Sequence, residues 1–178
     1  MRRLPGDRSE ETDAERMIRV DHAGEYGAMR IYAGQLAVLG KSAERDAVEH
    51  MAEQEKLHYD AFTKIMAERK VRPTLLMPLW HVAGFALGAA TALLGEKAAM
   101  ACTVAVESVI DEHYAAQKER LSENEKDLAG VIEKFRMEEL EHHDSALAHG
   151  AEDAPLYPLL SAGIKTASKL AIWLSERI

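Results

Sequence analysis

The sequence predicts an all-α protein: a four-helix bundle made of two antiparallel hairpins, with an additional apolar helix between them and an amphipathic helix at the C-terminus. Three observations carry that expectation. Ala, Leu, Glu, Met and Lys abound while only 6% of the 178 residues are aromatic, a composition that favours helix. Apolar residues recur at helical spacing through four long stretches. The five prolines fall near the ends of those stretches rather than inside them.

The elements follow in order. Thr12-Asp13-Ala14-Glu15 has the form of a capping box, and helical periodicity then runs to Gly40, so the first helix should span 13–39. Ser42 can start a second helix, 43–69, that continues through Met51, Leu57, Phe62 and Ile65 until Arg72-Pro73 stops it. Residues 96–121 and 125–149 form another long pair, separated by the turn-like Ser122-Glu123-Asn124. The last segment, 158–176, places Leu159, Leu160, Ile164, Ala167, Leu170, Ala171 and Leu174 on one face, an amphipathic helix for the bundle or a bilayer.

Between the hairpins, Leu75 to Gly95 runs for 21 residues without a charged side chain. That is long enough to span a membrane by hydropathy alone, but Pro78, His81 and three glycines weaken a span. With Arg69, Lys70 and Arg72 flanking it, interfacial insertion is the expectation. The remaining segment, 1–11, is polar and mixed in charge, without the apolar core of a secretory signal, and reads as disordered. It is acidic too early for a mitochondrial transit peptide, so the chain reads as bacterial or as a trimmed form. One domain over 1–178 suits the length.

The net charge of −8 argues against a nucleic-acid partner, which needs a basic face. Cys102 is the only cysteine, so the chain by itself forms no disulfide, thiolate zinc site or iron–sulfur cluster. It reads as a small buried apolar residue.

Glu-x-x-His occurs twice, as Glu55-Lys56-Leu57-His58 and Glu139-Leu140-Glu141-His142. With so many glutamates and 8 histidines in the chain, such pairs arise almost by chance, and spacing supplies the discrimination. The turn near residue 40 lies midway between Glu25 and Glu55, so an antiparallel hairpin sets both carboxylates level, each about 22 Å from the turn. The turn near residue 123 lies midway between Glu107 and Glu139 in the same way. Glu107 follows an apolar run, Ala98 to Val106, with no Lys or Arg one turn away, and a buried unpaired carboxylate costs several kcal/mol unless a cation meets it. Four carboxylates and two imidazoles suit two divalent ions of iron or manganese better than calcium or magnesium. This is the ligand pattern of ferritin-like di-iron bundles. The metal ligands are therefore expected to be Glu25, Glu55, His58, Glu107, Glu139 and His142, with no further catalytic side chain required. His22 and Tyr114 can approach the metals from above or below, and Asp111 can orient a ligand histidine. Glu53, Glu138 and Glu141 read as solvated, His113 and His143 as weak candidates, and His149 as a helix C-terminal residue.

DHAGEYGAMRIYAGQ, EQEKLHYDAF, RPTLLMPLWHVAGFALGAATALLG, CTVAVE and FRMEELEHHDSAL together resemble the demethoxyubiquinone hydroxylase family of ubiquinone biosynthesis, over residues 17–178. The family's ligands fall on the same six positions. One departure is Ser108, where family members carry a second acid; it faces elsewhere on the helix. The resemblance implies a di-iron monooxygenase that uses O2, and Fe2+ in its reduced form, to hydroxylate the ring of a demethoxyubiquinol. NADH or the quinol itself is the implied reductant, although no Gly-rich dinucleotide fingerprint is present. It further implies a polyprenylated quinol substrate, a membrane surface, and a lipid-binding accessory protein within a biosynthetic assembly.

A spanning segment at 75–95 would put Glu25 and Glu55 on the opposite side from Glu107 and Glu139. The expectation is therefore a peripheral or monotopic protein, on the cytoplasmic face of a bacterial inner membrane or the matrix side of the mitochondrial one. Two alternatives use the same residues differently. A ferritin-like iron-handling or peroxide-scavenging protein should lack the uncharged stretch, and a non-enzymatic membrane-surface protein should bind no metal.

Overall fold

The computed structural model describes residues 13–178 and contains six α-helices. They are α1 (Asp13–Val38), α2 (Ala43–Arg69), α3 (Met77–Leu93), α4 (Glu96–Arg120), α5 (Lys126–Ala148) and α6 (Tyr157–Ser175). No strand occurs among the described residues. The capping threonine expected at residue 12 and the segment 1–11 lie outside them. The four long helices end within a residue or so of the predicted boundaries.

Local chemistry explains the boundaries. Ser42 caps α2 by accepting from the Arg45 backbone N–H at 3.2 Å, and Arg45 in turn binds the carbonyls of Leu36 and Leu39 at the end of α1. Lys70 closes α2 in the left-handed conformation, φ 56°, before Pro73 removes the possibility of another turn. Pro78 sits in the first turn of α3, where a missing N–H costs nothing.

α1 and α2 form one antiparallel hairpin and α4 and α5 the other. α3 lies along α1 and α6 along α4. The α1–α3 seam is made by glycines. A Cβ at Gly88 would stand 1.9 Å from the Ile31 carbonyl oxygen, and one at Gly34 would stand 2.1 Å from that of Phe85. Tyr26 and His81 pin the same pair with a 2.6 Å bond between the hydroxyl and Nδ1. α3 meets α6 where the Trp80 indole N–H donates to Ser175 at 3.0 Å.

Among the described residues, no helix is long and apolar enough to cross a membrane. The side of α3 away from α1 nevertheless leaves Leu75, Leu79, Val82, Leu93 and Leu94 exposed at its ends and face, and α6 with its approach leaves Leu156, Leu159, Leu170 and Trp173 exposed.

Among the described residues, two of three apolar clusters bracket the middle of the bundle, and the third joins α1 and α4 to Ile164 of α6. Of the bracketing pair, one contains Tyr32, Leu39, Val48, Met51, Met100 and Val104. The other contains Ile18, Phe62, Met66, Tyr114, Ile132 and Phe135. Glu25, Glu55, Glu107 and Glu139 fall between these sets along their helices, so a polar layer is sealed at both ends by hydrocarbon.

Candidate metal centre

Each long helix delivers its glutamate to that layer, and α2 and α5 each add the histidine one turn later. All six side chains are buried, with relative exposures of 1% to 3%. Two groups of donor atoms emerge, Glu25, Glu55, His58 and Glu139 in one and Glu55, Glu107, Glu139 and His142 in the other, each within 4.8 Å of one another. Glu55 and Glu139 belong to both groups and lie between them. His58 Nδ1 is 3.0 Å from Glu139 and 3.6 Å from Glu25. His142 Nδ1 is 3.1 Å from Glu139 and 3.2 Å from Glu55.

The electrostatics of this cluster are those of a cation receptor. Burial pushes Glu55 well above the ordinary carboxylate range, and Glu139, Glu25 and Glu107 push it further. Glu107 rises for the same reasons, burial first and Glu139 second. Burial acts upward on Glu139 too, but hydrogen bonds from His142 and His58 outweigh it and hold that acid below the usual range. Burial acts downward on His58, yet its bonds to Glu139 and Glu25 raise it to about 10. Neither oxygen of Glu55 has a hydrogen-bond partner, nor has Glu107 Oε2. Buried polar atoms are rarely left so, and orphaned carboxylate oxygens aimed at one another fit divalent cations bound between them.

The fixings of the site cross between hairpins. The Tyr114 hydroxyl of α4 donates to Glu25 of α1, and the Tyr32 hydroxyl of α1 donates to Glu107 of α4 at 2.7 Å. Each tyrosine stands two turns beyond the glutamate of its own helix and serves the other's. Since Tyr32 belongs to one apolar cluster and Tyr114 to the other, they enter the layer from opposite ends. The histidines are held crosswise as well. His58 Nε2 of α2 donates to Glu138 of α5 at 2.8 Å, and His142 Nε2 of α5 donates to Gln54 of α2 at 3.0 Å.

The structure thus brings together the six expected ligands and Tyr114. His22 is buried nearby, its ring 4.6 Å from that of Tyr59, and it stands outside both donor groups. Asp111 does not orient a histidine: it bonds Arg136 at 2.7 Å, because its position on α4 faces the outer surface of α5. Glu138, expected in solvent, is a histidine partner instead. His113 lies 3.3 Å from the buried Asp21, His143 pairs with Asp144 at 3.0 Å, and His149 caps α5. Tyr32, Gln54 and Glu138 escaped the sequence reading. Their signal was a repeat: Glu25 and Tyr32 are spaced as Glu107 and Tyr114 are, and Gln54-Glu55-x-x-His58 matches Glu138-Glu139-x-x-His142.

α1 and α4 also wall an apolar cavity of about 170 Å³, lined further by α3 and α6. Its lining includes Gly24 and Val106, the chain neighbours of Glu25 and Glu107, together with Gly27, Ile110, Trp80 and Ala171.

Fold and site together define the class: ferritin-like helical proteins built around a buried carboxylate–histidine centre. Comparison with known proteins narrows it. The family model described as ubiquinone biosynthesis protein COQ7 matches residues 12–175. The chain is 59% identical over 177 residues to the 3-demethoxyubiquinol 3-hydroxylase of Rhodospirillum rubrum, covering 99% of this chain and 84% of that one. It is 55% identical over 168 residues to the mitochondrial NADPH-dependent 3-demethoxyubiquinone 3-hydroxylase of Homo sapiens, covering 92% and 77%. The mitochondrial 5-demethoxyubiquinone hydroxylase of Saccharomyces cerevisiae is 44% identical over 181 residues, covering 92% and 78%. The chain belongs to the ubiquinone biosynthesis protein COQ7 family.

Proposed function

We propose that this chain is a monooxygenase, an oxidoreductase of ubiquinone biosynthesis that hydroxylates the ring of a demethoxyubiquinol. Two iron ions would be held by Glu25, Glu55, His58, Glu107, Glu139 and His142, with Glu55 and Glu139 shared. The observation that carries the reading is the placement of a buried acid–histidine centre directly behind an apolar cavity, with the same two helices forming both.

Bound ferrous ions would supply electrons to dioxygen, one atom of which enters a ring C–H bond while the other leaves as water with two electrons and two protons. The chain's own residues do the rest. Tyr32 and Tyr114 hold Glu107 and Glu25 in place, and the apolar clusters at both ends keep bulk water from the layer. The cavity offers hydrocarbon walls to a ring with a polyprenyl tail and few polar atoms to compete for it. A reduced pyridine nucleotide, NADH or NADPH, is the source of electrons we assign, and the names of mammalian relatives specify NADPH.

The exposed leucines of α3 and α6 with Trp173 suit a bilayer surface, and Lys165, Lys169 and Arg177 on or beside α6 suit its anionic head groups. We therefore place the protein peripherally on the membrane that holds its substrate: the cytoplasmic face of a bacterial inner membrane, or the matrix side of a mitochondrial one. The same apolar surface is where a lipid-binding accessory protein of a biosynthetic assembly would dock.

Purified anaerobically, the protein should carry two ferrous ions per chain and convert a short-tailed demethoxyubiquinol to its hydroxylated product with uptake of O2. Deleting the gene should cause the demethoxy quinone to accumulate. Normal ubiquinone in a deletion strain that has no second copy, with iron taken up but no quinol turned over, would overturn the assignment in favour of iron handling.

A further inference from the structure

We propose that the two cation positions are made unequal from outside the ligand set, by Glu138 on one side and Gln54 on the other, so that the first cation to bind takes the His58 position. This rests on the reading that the six buried side chains hold two cations.

The centre is a near-repeat of itself. Each hairpin contributes a glutamate, a tyrosine two turns later and a Glu-x-x-His, and the tyrosine bonds cross symmetrically. The residue just before the glutamate of each Glu-x-x-His also reaches across, to the histidine of the opposite hairpin. At that one equivalent position the two halves differ in charge: Glu138 meets His58 at 2.8 Å, and Gln54 meets His142 at 3.0 Å.

Neither a carboxylate nor an amide oxygen can donate, so each ring gives its Nε2–H outward, and Nδ1, which meets the buried acids, is the nitrogen left to bind a cation in place of its proton. The outward partners then act unequally. A histidine bonded to a carboxylate is a stronger donor to a metal than one bonded to a neutral amide, and its ring is held more firmly. Phe135 adds to the difference, stacking 4.0 Å from the His58 ring at 24° to its plane. The His142 ring has no such close stack: Tyr32 meets it edge-on at 6.5 Å, and the His58 ring itself lies 6.3 Å away. Glu138 lies at the rim, its side chain 26% exposed, with Lys134 3.7 Å from its other oxygen. It can therefore be altered without opening the core.

The test is an anaerobic titration of the metal-free protein with Co²⁺, followed by calorimetry and by the visible bands of the bound ion. Wild type should fill in two steps, the first about tenfold or more tighter, the usual weight of such an outer partner. Glu138→Gln makes the two flanks alike and should weaken the first step until it merges with the second. Gln54→Glu should instead strengthen the second step toward the first. Glu141→Gln removes the same charge from an exposed position of α5 and should leave both steps as they are. Two equal steps in wild type, an unchanged first step in Glu138→Gln, or equal weakening of both steps would overturn the proposal. Absence of any Co²⁺ binding would instead overturn the metal-site reading beneath it.

Discussion

The hydroxyl of Tyr32 lies 2.7 Å from Glu107 Oε1 and, among the described residues, is the one hydrogen-bond donor to that buried carboxylate. Removing it with Tyr32→Phe leaves the acid with no donor inside hydrocarbon. Loss of a bond to a charged group costs about 1.5–3 kcal/mol, so cation affinity on the His142 side should fall about tenfold or more, and kcat with it. Far-ultraviolet circular dichroism should be unchanged. Full affinity and full kcat in the variant would show that the tyrosine is merely packed there.

The pH dependence of stability should have opposite slopes with and without metal. In the metal-free protein Glu55 and Glu107 are raised above their ordinary values, so the folded state holds protons that the unfolded chain releases, and stability falls as pH climbs above the usual carboxylate range. His58, raised to about 10, contributes stability that is complete below its ordinary pKa and is lost as pH rises from there to about 10. Bound cations need the acids ionised and displace those protons, so the rise in Tm on adding metal should grow between pH 5.5 and 8. Glu107→Gln removes one of the opposed charges: it should raise the metal-free Tm by a few degrees while lowering metal content below two per chain. Thermal melts with elemental analysis read both, and a lower metal-free Tm in that variant would contradict the account.

Two glycines should respond in opposite directions. Gly88→Ala drives a Cβ into the Ile31 carbonyl 1.9 Å away, and backbone cannot yield as a side chain can, so α3 must lift from α1 at a cost of several kcal/mol. Gly163→Ala meets nothing within 4 Å on the exposed side of α6 and should stabilise by about 0.5–1 kcal/mol through the lower entropy of the unfolded chain. Denaturant midpoints distinguish them.

Leu79 and Trp173 are each about half exposed, on α3 and α6 respectively. Leu79→Glu combined with Trp173→Glu should reduce co-sedimentation with vesicles containing anionic lipid several-fold, while turnover of a short-tailed quinol in detergent stays near wild type. Undiminished sedimentation would place the membrane contact elsewhere.

Much of this was legible in the sequence because its signals are local or metrical. Helix ends follow from Ser42, Pro73 and Pro78, and the level placement of Glu25 with Glu55, and of Glu107 with Glu139, follows from counting residues to a turn. What escaped depends on how two hairpins dock. Nothing in the neighbourhood of Glu138 separates it from the solvated Glu141, since only the approach of α2 puts His58 against one and water against the other. Asp111 was misread for the converse reason: Arg136 of the facing helix claims it. Tyr32 was hidden because its partner lies on a helix 75 residues away, while the glycines at 84 and 88 counted only against a membrane span until α1 and α3 were seen in contact.

That seam has a mechanical consequence. Where Gly34, Gly84 and Gly88 stand, the α1 and α3 backbones meet with no compliant layer in which to slide, so the two helices behave as one stiff strut. The outer helix of the strut carries the exposed leucines and the inner one carries Glu25. Any tilt imposed on the outer helix by its surroundings is therefore delivered to the acid cluster without slack, and the seating of the protein and the shape of its centre cannot be adjusted separately.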